Sequence, residues 1–168
     1  MTRPMTISRA DVVRLARTWL GTPYHHQASE RLVGADCIGL VRGIWREIYG
    51  NEPEALPGYS RDWAEATGRE TLLEAARRHF IAIDPAAARA GDVLVFRYRP
   101  RSIAKHVGIL STDAAFAPAR SPAIDRDQRH ARSTLIHACE GAPVCEIALG
   151  PWWQRRIAAA FSFPGMID

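Results

Sequence analysis

The chain has 168 residues, 47% hydrophobic and 24% charged, which suffices for one domain with an ordinary apolar core and no disulfide or metal staple. Its three cysteines, Cys37, Cys139 and Cys145, are an odd count without the dense spacing of a small secreted scaffold, so at least one thiol is free in the monomer. The net charge of +4 favours anionic partners without choosing between nucleic acid and an acidic polymer, and no apolar run is long enough to span a membrane.

The opening segment MTRPMTISRADVVRLARTWLG lacks a continuous apolar stretch and a small-residue cleavage site. Synthesis in the cytoplasm without a signal peptide is the expectation. Ser8 and Asp11 resemble a capping box, and Val12, Leu15, Ala16, Trp19 and Leu20 recur at helical spacing until Gly21 and Pro23 stop them. TPYHHQASERLVGAD is aperiodic. Ile38, Val41, Ile44, Trp45 and Ile48 then mark a second helix that ends at Gly50 and Asn51, with Cys37 in its first turn. EPEALPGYS reads as a loop, a short helix is expected over 63–66, and ETLLEAARRHF resumes helical spacing. From Gly91 the pattern changes to short runs of strand composition: DVLVFRYR, HVGILS, TLIHA, PVCEIAL and IAAAFSF. Residues 113–132, rich in Pro, Ala and Arg, read as a surface insertion between two strands. Helices followed by strands imply a single α+β domain over 1–168, its N-terminal helices packed on a mostly antiparallel sheet.

Cys37 admits three readings: a small packing residue at the head of an apolar stripe, a metal ligand, or a nucleophile. A helix N-terminus presents unpaired backbone N–H groups and a positive dipole end, both of which favour thiolate. Selective, fast alkylation of Cys37 over Cys139 and Cys145 near neutral pH is the corresponding expectation. His106 in AKHVGIL and His137 in TLIHACE lie on successive strands, so one cysteine and two histidines can supply nucleophile, base and orienter. Zinc would need Cys37, His106, His137 and Cys139 without a CxxC or HExxH element, a poor ligand pattern. Cys139 and Cys145 read as strand residues in or near the core, His25 and His26 as lining a cleft mouth or a loop, and His79 and His130 as surface residues.

The segments GTPYHHQ, GADCIGLV, ARAGDVLVF, KHVGIL and LIHA, in that order from Gly21 to Ala138, resemble the NlpC/P60 family of papain-like cysteine peptidases. The opening helix and the closing PWWQRRIAAAFSFP are similar to its phage and gene-transfer-agent tail branch. The resemblance implies a papain-like fold with Cys37 as nucleophile, His106 as general base and acid, and His137 as the residue that orients it. Tyr24, matching the family's motif tyrosine, would join the Cys37 backbone N–H in binding the oxyanion. Asp36, otherwise an ordinary helix N-cap, would help to recognise the substrate's peptide end. Ile38 stands where many members carry serine, so a hydroxyl contact to the stem peptide is absent.

By the same resemblance the substrate is a peptidoglycan stem peptide, cut at the γ-D-glutamyl–diaminopimelate bond without metal or organic cofactor. The chain would be carried in a virion or gene-transfer-agent tail, with tail hub or tip proteins as partners, and act in the periplasm or cell wall. The arginines form no recognised nucleic-acid-binding motif, and neither nucleic acid nor membrane insertion is expected. The rival readings are a non-catalytic tail-assembly module of the same fold, and acyl transfer by the same thiol on another substrate.

Overall fold

The computed structural model describes residues 6–56, 58–60, 68–112 and 132–168. The expected helix over 63–66, His130, and all but the last residue of the insertion lie outside the described residues.

The chain opens with β1 (Ile7–Ser8) and α1 (Arg9–Arg17). The Ser8 half of the capping box forms: the hydroxyl accepts the Asp11 N–H at 3.1 Å, and it donates to the Asp11 carboxylate at 2.7 Å. Beyond α1, Trp19 is buried and seats its ring against Gly43, where an added Cβ would lie 2.0 Å from the indole. The segment read as aperiodic holds a small hairpin of β2 (Ser29–Glu30) and β3 (Gly34–Ala35). Strands of two residues are too short to leave a period.

The second helix, α2, spans Cys37–Tyr49 and stops at Gly50, whose φ of 86° is the left-handed end that glycine adopts freely. Next come α3 (Thr71–His79), the edge strand β4 (Ile81–Ile83), β5 (Val93–Phe96), β6 (His106–Thr112), β7 (Thr134–His137) and β8 (Cys145–Ala148). The chain closes with a single-turn helix α4 (Pro151–Gln154), β9 (Ile157–Ser162) and β10 (Met166–Ile167), which pairs with β1. The main sheet has six strands in the order β4-β9-β5-β6-β7-β8, and every neighbouring pair is antiparallel.

The α+β arrangement read from the sequence is therefore the observed one. On one face Val93, Val95, Val107, Ile109 and Ile136 meet Leu40, Ile44 and Ile48 of α2 and Val12 and Ala16 of α1. On the other, Leu94, Phe96, Leu110 and Leu135 pack with Leu149 and the half-buried Trp153. Because the middle strands are covered on both faces, all of Val93–Phe96 is buried, and the run reads as continuously apolar rather than alternating.

Candidate active site

The site is built where the start of α2 meets the start of β6. Asp36 caps α2 through Oδ1, which accepts the Gly39 N–H at 2.7 Å. Its Oδ2 accepts the Gln27 N–H at 2.7 Å and the Tyr59 hydroxyl at 2.6 Å, with His26 Nδ1 3.7 Å away. The N-cap expected of Asp36 is present, and its carboxylate also anchors the loops on both sides. Ala28 comes close enough to the first turn that a Cβ on Gly39 would lie 1.8 Å from the Ala28 carbonyl oxygen.

Cys37 is the first residue of α2 and is half-buried. Its Sγ donates to the Lys105 carbonyl at 3.9 Å and takes a backbone N–H from Val107. The sulfur thus lies against the chain on both sides of His106. His106 is cross-strand partner to Phe96, and Leu110 is partner to Leu135. Counting by twos along each strand puts His106 and His137 on one face of the sheet. Their rings meet there, with His106 Nε2 2.9 Å from His137 Nδ1. For His106 Nδ1 to accept a proton, Nε2 must carry one and donate it to His137 Nδ1, which places the His137 proton on Nε2. Trp153 packs behind both rings, with centroids 5.3 Å from His106 and 5.1 Å from His137.

Tyr24, Asp36, Cys37 and His106 line one open cleft of about 920 Å³, and His137 stands one ring behind His106. Tyr24 reaches it because its backbone bridges to Ala35, beside the cap of α2. His26 also lines the cleft, as expected of a mouth residue. Two other expectations need correction. Cys139 lies just past β7 and lines the cleft rather than standing in a strand by the core, whereas Cys145 is a half-buried residue of strand β8, as read. His79, expected at the surface, is half-buried, with Nε2 3.2 Å from a Glu54 carboxylate oxygen and its ring edge-on to Trp45.

The surroundings of Cys37 oppose the thiolate that the helix end favours. Burial first, and the adjacent Asp36 carboxylate second, push the Cys37 thiol up to about 12, against the pull of the Val107, Ile38 and Cys37 N–H groups. Burial, with His137 adding to it, holds His106 down to about 3. Both shifts favour a thiol beside a neutral imidazole over a thiolate–imidazolium pair. Among the described residues, no group of three or more His, Cys, Asp or Glu is placed to hold a metal ion.

Three contributors escaped the sequence reading: Tyr59, Tyr98 and Trp153. Tyr59 lies in a segment read only as a loop, and burial together with its bond to Asp36 raises its pKa so that it stays a donor. Tyr98 lines the cleft and packs 5.6 Å from the His106 ring. Nothing local marks any of them, apart from the paired tryptophans beside Pro151.

Residues 21–157 match the family model described as the NlpC/P60 family. The chain belongs to the NlpC/P60 family. Solved NlpC/P60 structures share its fold at low identity. The NlpC/P60 domain of the peptidoglycan hydrolase SagA matches at a TM-score of 0.57 and 21% identity, over 94% of this chain and 100% of that one. An NlpC/P60 family protein from Bacillus cereus ATCC 10987 matches at 0.60 and 19%, over 94% of this chain and 41% of that one. A Staphylococcus aureus Mu50 protein, described as similar to lipoprotein and of the NLP/P60 family, gives 0.53 and 18%, over 99% and 46%. This NlpC/P60 chain thus spans less than half the length of the last two. No curated protein is significantly similar to it in sequence.

Proposed function

We propose that the chain is a cysteine peptidase that hydrolyses an amide bond in peptidoglycan stem peptides, at the γ-D-glutamyl–diaminopimelate linkage. The observation that carries this reading is the sharing of one cleft by Cys37 and His106, with His106 held at Nε2 by His137, in an NlpC/P60 chain. Cys37 Sγ attacks the amide carbonyl carbon as its proton passes to His106 Nδ1, and the carbonyl oxygen becomes an oxyanion received by the Cys37 N–H and the Tyr24 hydroxyl. Collapse breaks the C–N bond, and His106 gives its proton to the departing amine. Water then attacks the thioester while His106 takes a proton, the C–S bond breaks, and the new carboxyl end leaves with the thiol restored. His137 keeps the His106 ring in the tautomer that both steps need.

Carriage in a phage or gene-transfer-agent tail, with hub or tip proteins as partners and the cell wall as the place of action, extends the same reading. Its support is the resemblance of the opening helix and of PWWQRRIAAAFSFP to tail-associated members. The alternative is a tail module that keeps the fold without hydrolysis.

Digestion of purified muropeptides, followed by mass analysis, separates the two. Wild type is expected to release a product with a new amino end on diaminopimelate, and Cys37→Ala to lose at least about 1,000-fold in rate. Equal, absent turnover in both proteins would leave the structural role.

A further inference from the structure

Beside the cleft, a tryptophan is held in solvent by contacts that fix its ring. The Arg156 guanidinium lies 3.8 Å over the centre of the Trp152 ring, and it is itself tied down by Nε donating to the Tyr98 carbonyl at 3.1 Å and Nη1 to the Trp152 carbonyl at 2.8 Å. Trp153 meets Trp152 edge to face at 4.9 Å. With one face under Arg156 and Trp153 against it, Trp152 is still 45% exposed, so its other face is open to solvent. Tyr98 joins this ring to the chemistry: its centroid is 6.3 Å from Trp152 and 5.6 Å from His106, and it lines the cleft.

We propose that Trp152, held from behind by Arg156, forms a sugar subsite for the glycan strand that bears the stem peptide, so that glycan-linked stem peptides are preferred to free ones. The inference rests on the stem-peptide reading above. A pyranose has a flat C–H face with hydroxyl and amide groups at its rim. The open indole face takes the C–H surface, while Arg156, stacked on the opposite face and bonded to two backbone carbonyls, holds the ring in place. An apolar side chain of a peptide would instead call for an enclosed pocket. The reach also fits. Trp153 lies 5.3 Å from His106 and 4.9 Å from Trp152, so those two rings are at most about 10 Å apart, within the span of three extended residues, and a lactyl group, L-alanine and D-glutamate separate the sugar from the scissile bond.

Two measurements on the full chain test this. In the Cys37→Ala protein, a peptide-free oligomer of alternating N-acetylglucosamine and N-acetylmuramic acid is titrated while the indole N–H resonances are followed by NMR. Saturable shifts are expected at the Trp152 indole and at the adjacent Trp153 indole, the Trp153 shift being lost on adding Trp152→Ala and partly kept with Trp152→Phe. No saturable shift, or equal affinity after Trp152→Ala, would overturn the subsite. In the active enzyme, kcat/KM for the disaccharide-tripeptide is expected to exceed that for the free tripeptide L-Ala–γ-D-Glu–diaminopimelate by about tenfold, the size of one good ring contact, and the ratio to fall toward one in Trp152→Ala. If neither substrate is cut yet the oligomer shifts Trp152, the stem-peptide reading fails and the sugar site stands. If both are cut equally and no shift occurs, the sugar site fails and that reading stands.

Discussion

A thiol at the first position of a helix is pulled in two directions. Backbone N–H groups favour the anion, and for Cys37 they include its own, that of Ile38 and that of Val107 across the gap. Burial and the Asp36 carboxylate oppose them and prevail, because the same loops that seat the helix end also shield it from water. Alkylation by iodoacetamide is therefore expected to be slow at Cys37 near neutral pH. Its rate should climb about tenfold per pH unit through the alkaline range as the thiolate fraction grows toward a pKa of about 12. Asp36→Asn keeps a capping oxygen and removes the nearby negative charge, so labelling at fixed pH should rise several-fold. A rate plateau reached below pH 7 would instead show a thiolate–imidazolium pair already formed. Fast labelling, the expectation drawn from sequence, took the helix end and a neighbouring imidazolium together, and the labelling rate decides between the two expectations. The electrostatics of a helix end can be read in one dimension, whereas the walls around it include Tyr59, Tyr98, Lys105 and His106, far away in the chain.

At the scale of elements, the catalytic geometry depends on how tightly the start of α2 is seated. Gly39 makes this possible: a Cβ there would stand 1.8 Å from the Ala28 carbonyl oxygen and 2.9 Å from its carbon, both backbone atoms that cannot rotate away. Gly39→Ala is expected to force the first turn, with Asp36 and Cys37, off the 25–35 loop. The cost should be about 1–3 kcal/mol in urea unfolding. Turnover of the folded fraction should drop by roughly 100-fold, because a shift near 1 Å suffices to misplace a nucleophile. Unchanged stability and rate would mean that the loop yields freely. The first three helices and five of the six main-sheet strands were legible because each lies in an apolar stripe at helical spacing or in a short apolar run bounded by turn or polar residues. The rest, β1, β2, β3, β4, β10 and α4, have two to four residues each and were not. Cys37, His106 and His137 could be named because each sits at the edge of such a legible run. Tyr59 could not, since its partner Asp36 is 23 positions away and only the folded loop brings them together.

Across the whole molecule, the groups that tie the layers together stand at the opposite end of the sheet from the chemistry. His106 pairs with Phe96 at one end of β5, and Asp92 precedes Val93 at the other. Asp92 is fully buried and joins three parts of the chain. Its Oδ1 accepts Arg9 Nη1 from α1 at 2.8 Å and the Ser162 hydroxyl from β9 at 2.6 Å, while Oδ2 accepts the Arg89 N–H at 2.8 Å. Arg9 carries the tie onward to the Asp168 carboxylate at 3.0 Å, which also receives Arg89. Asp92→Ala would leave the Arg9 guanidinium, only 20% exposed, without its buried partner, together with an unpaired Ser162 hydroxyl. Loss of one member of a buried pair costs about 3–5 kcal/mol, and partial exposure of Arg9 sets this case near the lower bound. Asp92→Asn retains acceptor capacity and should cost about half as much. Because the cleft lies at the far end, the Asp92→Asn protein that remains folded is expected to turn over muropeptide at the wild-type kcat. Denaturant unfolding read alongside that kcat decides the matter: a kcat falling in step with stability would show that the two ends of the sheet are mechanically coupled.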